Sequence, residues 1–160
     1  MEYYNQVIET AFGNWEIQAN DHYLFQISHL EEPNNKAEKP NSLTQKAFNQ
    51  LNEYFEGKRK NFDFILNPEI GTSFQKEVWK LVSNIPYGKT ISYQEIALKL
   101  DNPGSVRAVG AANGKNPIPI IIPCHRVIGS DGRLTGYAYG IKLKKQLLLF
   151  EKAISPDLFD

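Results

Sequence analysis

The 160 residues are 41% hydrophobic with a net charge of zero, apolar enough for one domain of ordinary size or two small lobes. No apolar stretch approaches the roughly 20 residues that span a bilayer, and the start Met1-Glu2-Tyr3-Tyr4-Asn5 lacks the basic and apolar regions of a secretory signal, so a cytoplasmic protein is expected. One cysteine excludes an internal disulfide and every paired-cysteine zinc motif, and His22, His29 and His125 lie in unrelated contexts, so neither a metal nor a cofactor is expected.

The chain opens with short strands. Tyr4–Phe12, a turn at Gly13-Asn14, Trp15–Ala19, a turn at Asn20-Asp21 and Tyr23–Ser28 predict a small antiparallel sheet. Glu31–Asn41 is polar with two prolines and reads as an exposed loop. Ser42-x-x-Gln45 has the form of a capping box, and Leu43, Ala47, Leu51, Tyr54 and Phe55 line one face of the helix it would open before Gly57. Phe62–Leu66 is expected to return as a strand beside the sheet.

Near residue 70 the character changes. Residues 1–70 hold 6 Lys+Arg against 11 Asp+Glu and residues 71–160 hold 12 against 7, so the halves carry −5 and +5 and the second is the one suited to a polyanion. Two lobes are therefore expected, 1–70 and 71–160. Thr72-x-x-Gln75 opens a helix with Phe74, Val78, Leu81, Val82 and Ile85 on one face, ending at Pro86-Tyr87-Gly88. Ser92-x-x-Glu95 opens another, stopped by Asp101-Asn102-Pro103-Gly104, and Ser105 would cap a third over Val106–Gly114. Two short helices across a tight turn are a helix-turn-helix candidate, although an ordinary helical hairpin looks the same. The run Arg107-Ala108-Val109-Gly110-Ala111-Ala112-Asn113-Gly114 suits either close packing on a neighbour or entry into a narrow groove, and its two glycines each cost about 1 kcal/mol of helix propensity.

Asn116-Pro117-Ile118-Pro119-Ile120-Ile121-Ile122-Pro123 is expected to be an extended, stiff segment that holds Cys124 in place. Cys124 is followed directly by His125 and Arg126, a base and a cation that could generate the thiolate, the reactive form of a cysteine. A lone cysteine is more often a buried structural residue. The polar, basic and Gly-rich sequence after Cys124 favours the reactive reading. Leu134–Gly140 is a glycine-punctuated loop with two tyrosines, able to approach and stack on a flat ligand or simply to fold its rings inward. Ile141–Ala153 closes the chain as a helix, with Leu143, Leu147, Leu148 and Phe150 for the core and Lys142, Lys144 and Lys145 for solvent or phosphate.

Pro123-Cys124-His125-Arg126-Val127, together with Ile85–Tyr93, Arg107-Ala108-Val109-Gly110, Asn116–Pro119 and Gly136-Tyr137, resembles the O6-alkylguanine-DNA alkyltransferase family in order and spacing, closely from Leu51 to Glu151 and loosely before that. The resemblance implies an α+β protein: an N-terminal ribonuclease-H-like lobe with an antiparallel sheet, then a mainly helical, winged helix-turn-helix catalytic lobe. It implies repair by direct reversal, in which O6-methylguanine, and by extension O4-methylthymine, is flipped out of duplex DNA and its alkyl group moves irreversibly to Cys124. Base flipping costs a few kcal/mol.

Carried over residue by residue, the resemblance makes His125 the base, through a water, and Glu151 its orienting carboxylate. It has Tyr93 donate to guanine N3 and Asn116 brace the segment before the cysteine. Arg107 would fill the vacated stack, while Ala108, Ala111, Ala112, Asn113 and Gly114 enter the minor groove of double-stranded DNA. Val127, Tyr137, Ala138 and Tyr139 would form the base pocket, with carbonyls near Cys124 and Val127 accepting from the guanine amino group. Tyr139 departs from a common pattern with glycine there and would narrow the pocket. A monomer is expected. Two other readings compete: a recognition protein that binds the lesion and recruits other factors, whose known examples lack this cysteine, and a general cysteine hydrolase, which would leave the helix-turn-helix unexplained.

Overall fold

Three strands and a helix form the first unit, Met1–Ile70, of the computed structural model, which describes residues 2–32 and 37–156; Gly71–Asp160 is the second unit. Strands β1 (Tyr4–Thr10), β2 (Gly13–Ala19) and β3 (Leu24–Leu30) are antiparallel in the order β1-β2-β3. Ile8, Trp15, Ile17, Leu24 and Ile27 point into a core closed by Ala47, Leu51 and Tyr54 of α1 (Ser42–Phe55). The first hairpin turns at Ala11-Phe12, two residues before the expected Gly13-Asn14. Gly13 instead begins β2 at φ +97°, and a Cβ there would lie 2.3 Å from His29 Nε2, so glycine is needed for both conformation and space.

Two further expectations are corrected here. The cap of α1 is Asn41, whose side chain accepts from Thr44 N while Thr44 Oγ1 accepts from Asn41 N. The capping box thus sits one residue before the expected Ser42–Gln45 pair, and Gln45 accepts from Gln6 instead. Residues 62–66 form no strand: Asp63 N donates to Gln50 Oε1, and Ile65 is 81% exposed. Of the expected loop 31–41, residues 33–36 lie outside the described ones. The remainder is not free throughout, since Lys39 and Asn5 exchange two backbone hydrogen bonds.

The second unit begins with α2 (Ser73–Ser83), capped by Thr72 and Gln75 as expected. Trp79 on this helix is fully buried and donates from Nε1 to Ala112 O at 2.8 Å, tying α2 to α4 (Val106–Gly114). Helix α3 (Tyr93–Lys99) has the expected Ser92–Glu95 box. Between α3 and α4, Asp101 at φ +55° and a 3-10 turn at Pro103–Ser105 reverse the chain. Ser105 occupies the cap position of α4, but its hydroxyl donates back to Asn102 O rather than capping the helix. β4 (Ile91–Ser92) and β5 (Val127–Ile128) form a two-residue parallel ladder. α5 (Ile141–Phe150) ends earlier than Ala153 in a Schellman motif, with Lys152 at φ +57° and Ala153 N bonded to Leu148 O. Glu151 is thereby fixed at the end of the helix rather than within it. The chain is α+β as expected, and among the described residues no helix is long and apolar enough to cross a membrane.

Candidate active site

The segment before Cys124 is a compact turn rather than the expected extended one. Ile122 N donates to Ile118 O, and Ile120 takes φ +72°, a conformation that a β-branched residue adopts only when its surroundings enforce it. Asn116 supplies part of that enforcement by donating from Nδ2 to Ile122 O at 2.7 Å and accepting from Ile118 N at 3.0 Å. Pro123 then leads into a 3-10 turn, Cys124–Arg126, in which all three side chains are buried. Burial pushes the Cys124 thiol up to about 11, against the Asn116 amide and the Lys144 charge, which favour the thiolate. Cys124 is therefore a protonated thiol at neutral pH, and to act as a thiolate it would need a base.

The neighbouring imidazole can serve as one. His125 Nε2 lies 2.8 Å from Glu151 Oε2, and both side chains are fully inaccessible to solvent. A carboxylate only accepts, so Nε2 carries the proton and Nδ1 presents a lone pair, buried and without a partner among the described residues. Burial also lowers the His125 pKa, which keeps the ring neutral. Burial alone would raise Glu151, but the hydrogen bonds from His125 and Arg126, with the Arg126 charge, outweigh it and hold the carboxyl near 2. Arg126 reaches Glu151 through Nε at 2.8 Å and Nη2 at 3.0 Å, and its Nη1 donates to Ile85 O at 2.7 Å. Its charge is thus committed to the carboxylate, not to the thiol as its place in the sequence suggests.

A second polar cluster faces Cys124 from α3 and α5. Tyr93 Oη donates to Thr135 O at 2.8 Å. Lys144 Nζ donates to Val127 O, to Thr135 O at 2.7 Å and to Tyr93 Oη at 3.3 Å, so all its donors are engaged. Burial lowers its pKa to about 8. Gly136, at φ +68°, passes so close to Tyr93 that a Cβ would sit 3.2 Å from the phenol oxygen. Tyr137 is buried with its hydroxyl unpartnered among the described residues, and Tyr139 meets it edge to face at 5.7 Å, while Ala138 is exposed.

Comparison with known proteins bears on this arrangement. Residues 73–153 match the model of the 6-O-methylguanine DNA methyltransferase DNA-binding domain, and residues 3–68 match that of the ribonuclease-like domain of the same proteins. The chain belongs to this family. A relative from Methanosarcina barkeri named methylated-DNA–protein-cysteine methyltransferase is 58% identical over 106 residues, 66% of each chain, so the alignment spans just under two thirds of that relative. The crystal structure of the Mycobacterium tuberculosis O6-methylguanine methyltransferase superposes with a TM-score of 0.83 at 42% identity, covering 99% of this chain and 100% of that one. A structure of the same protein in complex with DNA gives 0.83 at 43%, covering all of both chains.

In this family member, the structure brings Cys124, His125, Glu151, Asn116, Tyr93, Val127 and Tyr137 into one side of the second unit. On α4, Arg107, Ala108, Ala111 and Gly114 are exposed. Ala112 and Asn113 are not: they are 3% and 2% exposed and belong to the inward face, which corrects their expected place on the groove surface. Arg126, expected as a cation for the thiol, and Lys144, expected to face solvent or phosphate, are both buried. A signal for the lysine exists, since Lys144, Leu147, Leu148 and Glu151 fall at i, i+3, i+4 and i+7 on one helical stripe.

Proposed function

We propose that this chain repairs DNA by taking the methyl group of O6-methylguanine onto Cys124, once per molecule. The observation that carries the reading is the buried Cys124 thiol beside a neutral His125 whose Nε2–H is committed to Glu151, leaving Nδ1 as the only basic atom of the ring. The thiol proton passes to Nδ1 through a water, and the Glu151 carboxylate stabilises the imidazolium. The thiolate attacks the methyl carbon from the side opposite O6, forming the S–C bond as the C–O bond breaks. The departing electron pair leaves on guanine, where Tyr93, protonated at neutral pH, turns its hydroxyl from Thr135 O to donate at N3. Overall the hydrogen lost by the thiol is gained by guanine and no external reactant is consumed.

The partner in this reading is double-stranded DNA, entered from the minor groove by the exposed small residues of α4, with Arg107 replacing the flipped nucleotide. The chain acts as a monomer in the cytoplasm, without metal or cofactor. A duplex whose restriction site is blocked by one O6-methylguanine tests the reading from the DNA side. Cleavage should be restored in proportion to added protein, up to one site per chain, and a minor-groove ligand should suppress it. No restoration at any excess of protein would overturn the proposal.

A further inference from the structure

The first unit carries a cleft of its own, about 640 Å3, with every lining residue drawn from that unit. Small-molecule sites occupy roughly 300–1,000 Å3. Two of the lining residues, Asn20 and Asn67, are only 7% and 4% exposed, so the little surface they keep is the part that lines the cleft. Asn20 Oδ1 accepts from His22 N and Tyr23 N, both at 2.8 Å, and Asn67 Oδ1 accepts from Glu69 N at 2.9 Å. A backbone N–H only donates, so each amide is fixed with its oxygen occupied and its NH2 group left to donate elsewhere. Neither Nδ2 has a partner among the described residues, and neither is wholly shut from solvent. Two nearly buried side chains thus offer donors, and no acceptor, to whatever enters the cleft.

The rest of the lining narrows the chemistry of the occupant. Tyr3 and Phe25 meet edge to face with ring centroids 5.3 Å apart, and Ile70 adds apolar surface, so a flat ring finds faces to pack on. Gln18 alternates away from the buried Ile17 and Ala19, which puts its amide on the sheet face opposite α1. Glu69 brings a carboxylate, an acceptor only. No Lys or Arg lines the cleft, and residues 1–70 hold 6 Lys+Arg against 11 Asp+Glu, so a phosphate is unwelcome there. We propose that this cleft binds guanine without phosphate, as the base or its nucleoside. The Asn20 and Asn67 NH2 groups donate to the adjacent acceptors O6 and N7, and Glu69 accepts from N1–H and the 2-amino group. Adenine is the poorer fit, because an asparagine reads its N6 donor and N7 acceptor by accepting and donating together, and both asparagine oxygens here are taken. The proposal does not depend on the alkyl-transfer reading.

The test titrates 15N-labelled protein with guanosine, adenosine or guanosine 5′-monophosphate and follows the side-chain NH2 resonances of Asn20 and Asn67. Guanosine should shift both in a saturable way, and adenosine should bind about tenfold more weakly, the worth of one hydrogen bond. The monophosphate should also bind more weakly than guanosine. Glu69→Gln should cost guanosine about tenfold while leaving adenosine nearly unchanged, because the bond lost is to a charged acceptor. Tyr3→Ala should weaken both nucleosides alike by removing the stacking face. Tyr3 and Glu69 are both exposed, so neither substitution threatens the fold. Absence of saturable shifts at Asn20 and Asn67, equal binding of adenosine, or guanosine binding unchanged in either variant would overturn the proposal. Shifts confined to residues of the second unit would overturn it as well, since they would place the nucleoside at another site.

Discussion

Arg126→Met isolates the charge that keeps Glu151 ionised. The carboxylate is 2% exposed and accepts three hydrogen bonds, two of them from Arg126. Its pKa is held near 2 against the ordinary 4.5, a displacement worth about 3 kcal/mol of folding stability at 1.36 kcal/mol per unit. Removing one partner of a buried pair costs about 3–5 kcal/mol because the other charge stays behind, and Ile85 O also loses its donor. Urea denaturation at pH 7 should therefore show a loss of about 3–4 kcal/mol. The pH dependence gives a second signature. A carboxyl whose folded pKa lies below its unfolded one contributes fully above about pH 5 and loses that contribution as pH falls toward 2, so the acid limb should flatten in the variant. Arg126→Met with Glu151→Gln removes both charges of this pair and should recover part of the loss. A cost below about 1 kcal/mol with an unchanged acid limb would refute the reasoning.

Three further outcomes are expected. Lys144, with a folded pKa near 8 against 10.5 for a free lysine, binds fewer protons folded than unfolded in that interval, so its contribution to stability rises with pH. In a Cys124→Ser background, which removes the opposing thiol, the urea midpoint should rise from pH 8 to 9.5, and Lys144→Met should abolish the rise; a flat profile before substitution would contradict the assignment. S-methylation of Cys124, 5% exposed, should lower stability by about 1–3 kcal/mol through overpacking, and an unchanged melting temperature after stoichiometric methylation would remove the idea. Tyr139→Gly should react faster with the free base benzylguanine than wild type does, as expected of a ring that narrows the proposed base pocket; equal rates would remove that proposal.

Local signals were the most legible in the sequence. The caps of α2 and α3 stood at Thr72/Gln75 and Ser92/Glu95 because each box is a contact between residues three apart. The box of α1 sits at Asn41/Thr44, where Asn41 Nδ2 also donates to Asn20 O, a long-range contact that the local sequence does not show. The missing strand at 62–66 reflects a long-range event: Gln50 takes the Asp63 amide and the segment lacks a ladder to join. Cys124 and His125 were legible as adjacent residues, and Glu151, 26 residues beyond the histidine, was legible only through family resemblance. Arg126 looked like a cation for the thiol because sequence does not reveal which acceptor a long side chain reaches. The lysine pattern of α5 points Lys144 to solvent or phosphate, whereas Val127 O, Thr135 O and Tyr93 Oη hold its ammonium, and the two-residue β4–β5 ladder is too short to leave a pattern.

The most direct test of irreversible transfer is intact-protein and peptide mass spectrometry after incubation with excess duplex DNA containing one O6-methylguanine, run beside Cys124→Ala. One added methyl group, mapped to Cys124 and saturating at one per chain, is the predicted result, with none on the variant. Specific binding of the lesion without any adduct, or a methyl group on another residue, would contradict the account.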